Sequence, residues 1–125
     1  MKNITIIVCI LTLILASTIY VENELKTKSK LIVGQLKEIK EDINNSKIGI
    51  EEKIKEVLRE WKKTDEKWSI IILHNELDLI ETSLISIKSN IENKEHTRAL
   101  EEIDKSIFLL EHTVEKEKFK LKNIF

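Results

Sequence analysis

Proline is absent from the 125 residues, and glycine occurs only twice, as Gly34 and Gly49. Turns and β-bulges draw on both residue types, so a many-stranded sheet protein is excluded and a helical chain with few reversals is implied. A single cysteine, Cys9, rules out an intrachain disulfide, a CxxC redox pair and a cysteine zinc cluster. An excess of one charge is missing too. Lys and Arg number 21 against 22 Asp and Glu, for a formal net charge of −1. That balance is not the basic footprint of a nucleic-acid binder. No Gly-rich phosphate loop, HExxH or GxSxG occurs. No catalytic set and no cofactor are expected, and the chain is read as non-enzymatic.

What the chain does have begins at its N-terminus. Ile4–Val21 (ITIIVCILTLILASTIYV) is uncharged, and as a helix it measures roughly 27 Å, close to the hydrocarbon thickness of a bilayer. Tyr20 falls where an interfacial ring is favoured. A cleaved signal peptide competes with an anchor, because Met1-Lys2-Asn3 is a short basic start. Ala16 and Thr18 match a small-x-small cleavage site poorly, and the apolar run passes them. Residues 1–21 are therefore read as an uncleaved single-pass anchor, and residues 22–125 as one helical domain. Lys26, Lys28 and Lys30 follow the span and argue for a cytoplasmic domain. The short basic N-tail, common to exported anchored proteins, argues for an extracytoplasmic one, the side expected here.

Beyond the span, Leu25, Ile32, Leu36, Ile39 and Ile43 keep coiled-coil-like spacing, so the first helix is expected to run on to about Ile43. Asn44-Asn45-Ser46 reads as a stop and a cap. The second helix shows Ile50, Ile54, Val57, Leu58 and Trp61. Thr64-Asp65-Glu66 resembles an N-cap with two acids behind it, which predicts a turn there. A stutter in one long helix is the alternative. The third helix carries Ile70, Leu73, Leu77, Ile80, Leu84, Ile87 and Ile91. Asn93–Thr97 breaks it, and the fourth follows with Leu100, Ile103, Ile107, Leu110 and Val114. The expected fold is all-α: a transmembrane helix continuing into an antiparallel bundle of about four helices.

Two residue groups could carry function. Counting back from the turns sets Trp61 opposite Trp68 and gathers both with Phe119, Leu121, Ile124 and Phe125 at the membrane-proximal end. Such a cluster can seat in the headgroup zone or touch a membrane partner; it can equally cap the bundle core. His74 and Asp78 stand one turn apart with Glu81 beyond, and Glu111, His112 and Glu115 reach about their level. Imidazoles and carboxylates across a helix pair can bind a transition metal. The spacing is not Glu-x-x-His, however, and a surface His–Asp pair with solvated glutamates explains it as well.

The segments EWKKTDEKWSIIILHNELDLIETSL (Glu60–Leu84), ALEEI (Ala99–Ile103) and LLEHTVEKEKFKLKNIF (Leu109–Phe125), taken with the N-terminal span, carry a further signal. In that order they resemble an uncharacterised bacterial family of short, N-terminally anchored helical proteins, the domain of unknown function numbered four-three-six-three. Family members often have proline soon after LLEH, where this chain has Thr113-Val114. The resemblance implies the anchored helical architecture and brings no activity. The expected function is that of a membrane-anchored interaction or scaffold protein. Its partners would be the bilayer, through Ile4–Val21, and a membrane protein or a second copy: Ile71, Ile72 and Leu79 fall off the main stripe and need a covering surface, which is the second helix in a monomer and otherwise a partner or a second copy. The alternative is an extracytoplasmic ligand- or metal-sensing domain using His74 and His112.

Overall fold

The computed structural model describes residues 1–124, the last of them by its backbone only. Four helices follow one another: α1 (Lys2–Asn44), α2 (Ile50–Trp68), α3 (His74–Glu92) and α4 (His96–Ile124). They run up, down, up and down. Each packs on its neighbours in the chain, and α4 closes the square against α1. No strand occurs among the described residues.

The 43-residue helix α1 has two halves with different surroundings. Its first half has a mean hydropathy of 2.6 over its most apolar stretch, is long and apolar enough to cross a membrane, and has none of that stretch buried in the bundle. Thr5, Thr12 and Thr18 hydrogen-bond back to the carbonyls of Met1, Val8 and Ile14, which removes their polarity from that surface. The second half buries Leu25, Ser29, Ile32, Leu36, Ile39 and Ile43, spaced alternately four and three apart. No break separates the halves.

Both turns at the far end, away from the apolar half of α1, are built alike. After α1, Lys47 N–H donates to Asp42 O at 2.9 Å and Ser46 N–H to Ile43 O at 3.2 Å, with Ser46 at φ 52°. After α3, Glu95 N–H donates to Asn90 O at 2.8 Å and Lys94 N–H to Ile91 O at 3.1 Å, with Lys94 at φ 58°. These are Schellman closures, which satisfy the last helical carbonyls through one left-handed residue. Glycine usually fills that position; Ser46 and Lys94 fill it at a cost of about 1 kcal/mol each. Gly49, at φ 87°, supplies the one left-handed position occupied by glycine, as the N-cap of α2.

The second connection is not where the sequence pattern places it. The expected turn at Thr64-Asp65 does not form, and α2 runs through to Trp68. Thr64 is buried in the core stripe Ile50, Ile54, Val57, Trp61, Thr64, Trp68, and its Oγ1 donates to Glu60 O at 2.9 Å. The hydroxyl that looked like a cap is satisfied within its own helix instead. The chain reverses at Ser69–Leu73, because two to three more turns of helix would carry Asn75 and Asp78 onto the core stripe. Ile70 and Leu73, expected on the stripe of α3, lie exposed in this turn, whereas Ile72 is buried beneath it. From Leu77 to Ile91 the expected stripe is buried as anticipated.

Small polar residues complete the core between α3 and α4. Ser83 and Ser106 share a buried hydrogen bond of 2.6 Å, and Ser83 also reaches the Glu102 backbone carbonyl at 3.3 Å. With Ala99, they let these two helices approach closely along the most extensive seam of the bundle. Asp42 is the buried carboxylate of the far end. It accepts a hydrogen bond from Lys53 and faces Lys47 at 3.8 Å. Lys53 is raised above its ordinary value of 10.5 by the hydrogen bond from its ammonium to Asp42 and then by that to Glu38.

Candidate functional site

The near end of the bundle, beside the apolar half of α1, holds most of the residues singled out from sequence. Trp61 and Trp68 do not face each other across a hairpin. They lie two turns apart on α2, both about 1% exposed, with ring centroids 5.9 Å apart at 89°. Neither indole N–H meets an acceptor among the described residues. That costs about 1–3 kcal/mol per group. Burying an indole of roughly 150–250 Å² returns about 4–6 kcal/mol, so burial prevails. The pair is core.

Phe119 and Leu121 are not part of that core. Phe119 is 67% exposed. Together with Leu121, Lys118 and Lys122 it lines a groove of about 650 Å³ against Leu15, Thr18, Ile19 and Glu22 of α1. The expected single aromatic cluster is therefore two separate features: a buried tryptophan pair on α2 and an open apolar face on α4. Phe125 lies outside the described residues, as does the side chain of Ile124.

Four ion pairs cross between helices just above this face. Glu24 pairs with Lys67 at 3.6 Å, Lys28 with Glu60 at 3.5 Å and Glu22 with Lys118 at 4.0 Å, while Lys116 hydrogen-bonds Glu76. The hydrogen bond to Glu76 raises the Lys116 ammonium above its ordinary value of 10.5. Together the four tie α1 to α2, α1 to α4 and α3 to α4 at nearly one level. Exposed pairs of this kind add a few tenths of a kcal/mol each, so they fix register more than they add stability. Pattern reading missed this belt: Glu22 and Lys118 meet only once the α2–α3 turn is correctly placed, and the other pairs leave no periodic signal.

On the side nearest the apolar half of α1, the belt is bordered by apolar side chains in water. Ile70 is 87% exposed, and Ile71 and Leu73 are also exposed. Ile70 and Ile71 join Tyr20, Val21, Glu24, Lys67 and Trp68 around a second groove of about 290 Å³. Of the three residues expected to need a covering surface, Ile72 is covered by its own chain, while Ile71 and Leu79 remain exposed. An apolar surface rimmed by lysines and glutamates can bind another apolar surface.

The histidines sit apart from this arrangement. His74 opens α3 and Asp78 follows one turn on, both exposed. His112 is exposed and stacks on Phe108 of its own helix, centroids 5.5 Å apart at 9°. Among the described residues, no three His, Cys, Asp or Glu side chains are grouped so as to hold a metal ion. The aligned levels suggested by sequence do not bring these side chains to one point.

No curated protein and no solved structure matches the chain. A family model matches residues 19–124, starting where α1 passes from its apolar stretch into the bundle. That match covers nearly the whole helical bundle, and the chain belongs to the family described as Domain of unknown function (DUF4363).

Proposed function

We propose that the protein is a single-pass, membrane-anchored, non-enzymatic interaction module that holds a rigid four-helix bundle directly on the bilayer surface. One observation carries this reading: α1 leaves its exposed apolar stretch and enters the bundle core without a break. Leu25, the first buried core residue of α1, lies one turn past Val21. A bundle attached in this way has no tether, and its near end meets the headgroups. The exposed Ile70, Leu73 and Phe119 at that end support the same placement, as apolar groups favoured in the interface. Leu79 and Ile85 on α3 and Phe108 on α4 stand exposed away from it and are the faces offered to a membrane protein or a second copy.

Fractionation of the full chain from cells tests the anchor. It is expected to stay with membranes after carbonate washing and to keep its N-terminus by intact-mass measurement. A soluble species lacking the apolar stretch would overturn the anchored reading. Photocrosslinkers at Leu79 and Phe108 are expected to yield a discrete adduct. Adducts at neither position, with a monomer by light scattering, would remove the interaction role. We place the bundle on the outer side of the membrane; a C-terminal alkaline phosphatase fusion should be active there, and an inactive fusion reverses the assignment.

A further inference from the structure

The end of α4 extends beyond the level of the other helices. Lys118 is level with Glu22 of α1, and from there α4 continues alongside Ile19, Thr18 and Leu15. By Lys122 it has advanced about 6 Å further along α1, at ~1.5 Å per residue, towards the membrane. If the bilayer began only beyond that point, the apolar stretch left to it would be Ile4–Ser17, roughly 21 Å, too short for a hydrocarbon core of about 30 Å. On the anchored reading, the last two turns of α4 therefore lie within the interface. Their composition fits that position. Lys116, Lys118, Lys120 and Lys122 stand against Glu117 alone, interleaved with Phe119 and Leu121. Lys118 and Lys122, one turn apart, line the same groove as Leu15 and Ile19, while Glu22 and Glu115 hold Lys118 from its rim at 4.0 Å each.

We propose that this α1–α4 groove is a seat for one anionic phospholipid. Lys118 and Lys122 meet the headgroup phosphate, Phe119 packs beside it, and an acyl chain follows Leu15 and the exposed face of α1 into the bilayer. A groove of about 650 Å³ accommodates a headgroup with the first part of a chain. The flexible stems of the two lysines reach the phosphate level from a helix that dips below it. Lys118 is shared with Glu22 and Glu115, so Lys122 carries the choice of ligand: one lysine at the surface favours an anionic over a zwitterionic lipid by a factor of about five.

This inference rests on the anchored reading, and one experiment separates their failures. The full chain carrying Cys9→Ser and either Asn123→Cys or Leu11→Cys is labelled with a fluorophore and reconstituted into phosphatidylcholine vesicles. Part of the lipid is then replaced by acyl-quencher-labelled phosphatidylglycerol or phosphatidylcholine at equal fractions. Position 123, exposed beside Lys122 and outside the groove lining, is expected to report about fivefold enrichment of phosphatidylglycerol, and position 11 equal quenching by both lipids. Adding Lys118→Gln and Lys122→Gln should abolish the enrichment at 123 without changing position 11. Quenching at 11 with no lipid preference at 123 overturns the lipid seat alone. No quenching at 11 overturns the anchor and the seat together.

Discussion

The two ends of the bundle are made on different principles. At the far end two Schellman closures satisfy the helix carbonyls, Asp42 collects Lys53 and Lys47, and Ile48 is the one large apolar side chain left outside. At the near end the α2–α3 turn exposes three of its four apolar residues, two apolar grooves open beside α1, and ion pairs are gathered into a belt above them. A protein surrounded by water on all sides would have reason to finish both ends alike. On the anchored reading the asymmetry has a reason: the far end faces water and the near end faces the headgroups.

The largest effect should come from the core of the near end. Trp61→Ala is expected to cost about 3–5 kcal/mol in urea unfolding of the full chain in micelles; a loss under 1 kcal/mol would mean that the pair is not the core it is described as here. Next comes the α3–α4 seam. Ser83→Ala should cost about 1–3 kcal/mol by leaving Ser106 unpaired, and adding Ser106→Ala should cost less than the sum of the two single changes. The far end is sensitive to backbone in both directions. Gly49→Ala is expected to lose about 1–2 kcal/mol, and Lys94→Gly to gain about 1 kcal/mol, because each exchanges a residue at a left-handed position. Opposite shifts in melting temperature would be the signature.

Alkaline pH should act on both ends. Lys53 at the far end and Lys116 at the near end are raised above 10.5 by their carboxylate partners. A lysine raised on folding contributes fully below its unfolded value and loses that contribution as pH climbs through the folded one. Melting temperature should therefore hold steady up to about pH 10 and fall above it, and Glu76→Gln should flatten part of that fall. The smallest effect is expected at the exposed apolar residues. Ile70→Ser and Phe119→Ser should leave unfolding in micelles within about 0.5 kcal/mol of the parent. A large loss of stability would return these residues to the core and erase the contrast between the ends.

Much of this fold is legible in the sequence because heptad spacing is a strong signal. Leu25 to Ile43 and Leu77 to Ile91 are buried as their periodicity requires. Thr64 is where local chemistry misleads. A threonine ahead of two acids suits an N-cap, yet the same Oγ1 can bond four residues back and sit in a core. The deciding fact lies further along: Trp68 continues the stripe, and Asn75 and Asp78 cannot. Ser29, Ser83 and Ser106 occupy core positions that a search for apolar residues passes over. The near-end belt was illegible for a geometric reason. Misplacing the α2–α3 turn by more than one helical turn shifts α3 and α4 together along α1, and with them the partner of Lys118.

Helix α1 also has a mechanical consequence. At about 1.5 Å per residue it is a rod of roughly 65 Å with no hinge along it. On the anchored reading, a bilayer that is too thin for the apolar half tilts it, and the bundle leans through the same angle. That lean presses one rim of the near end into the headgroups and lifts the other clear. The bundle is then a pointer whose inclination reports the thickness of the membrane beneath it.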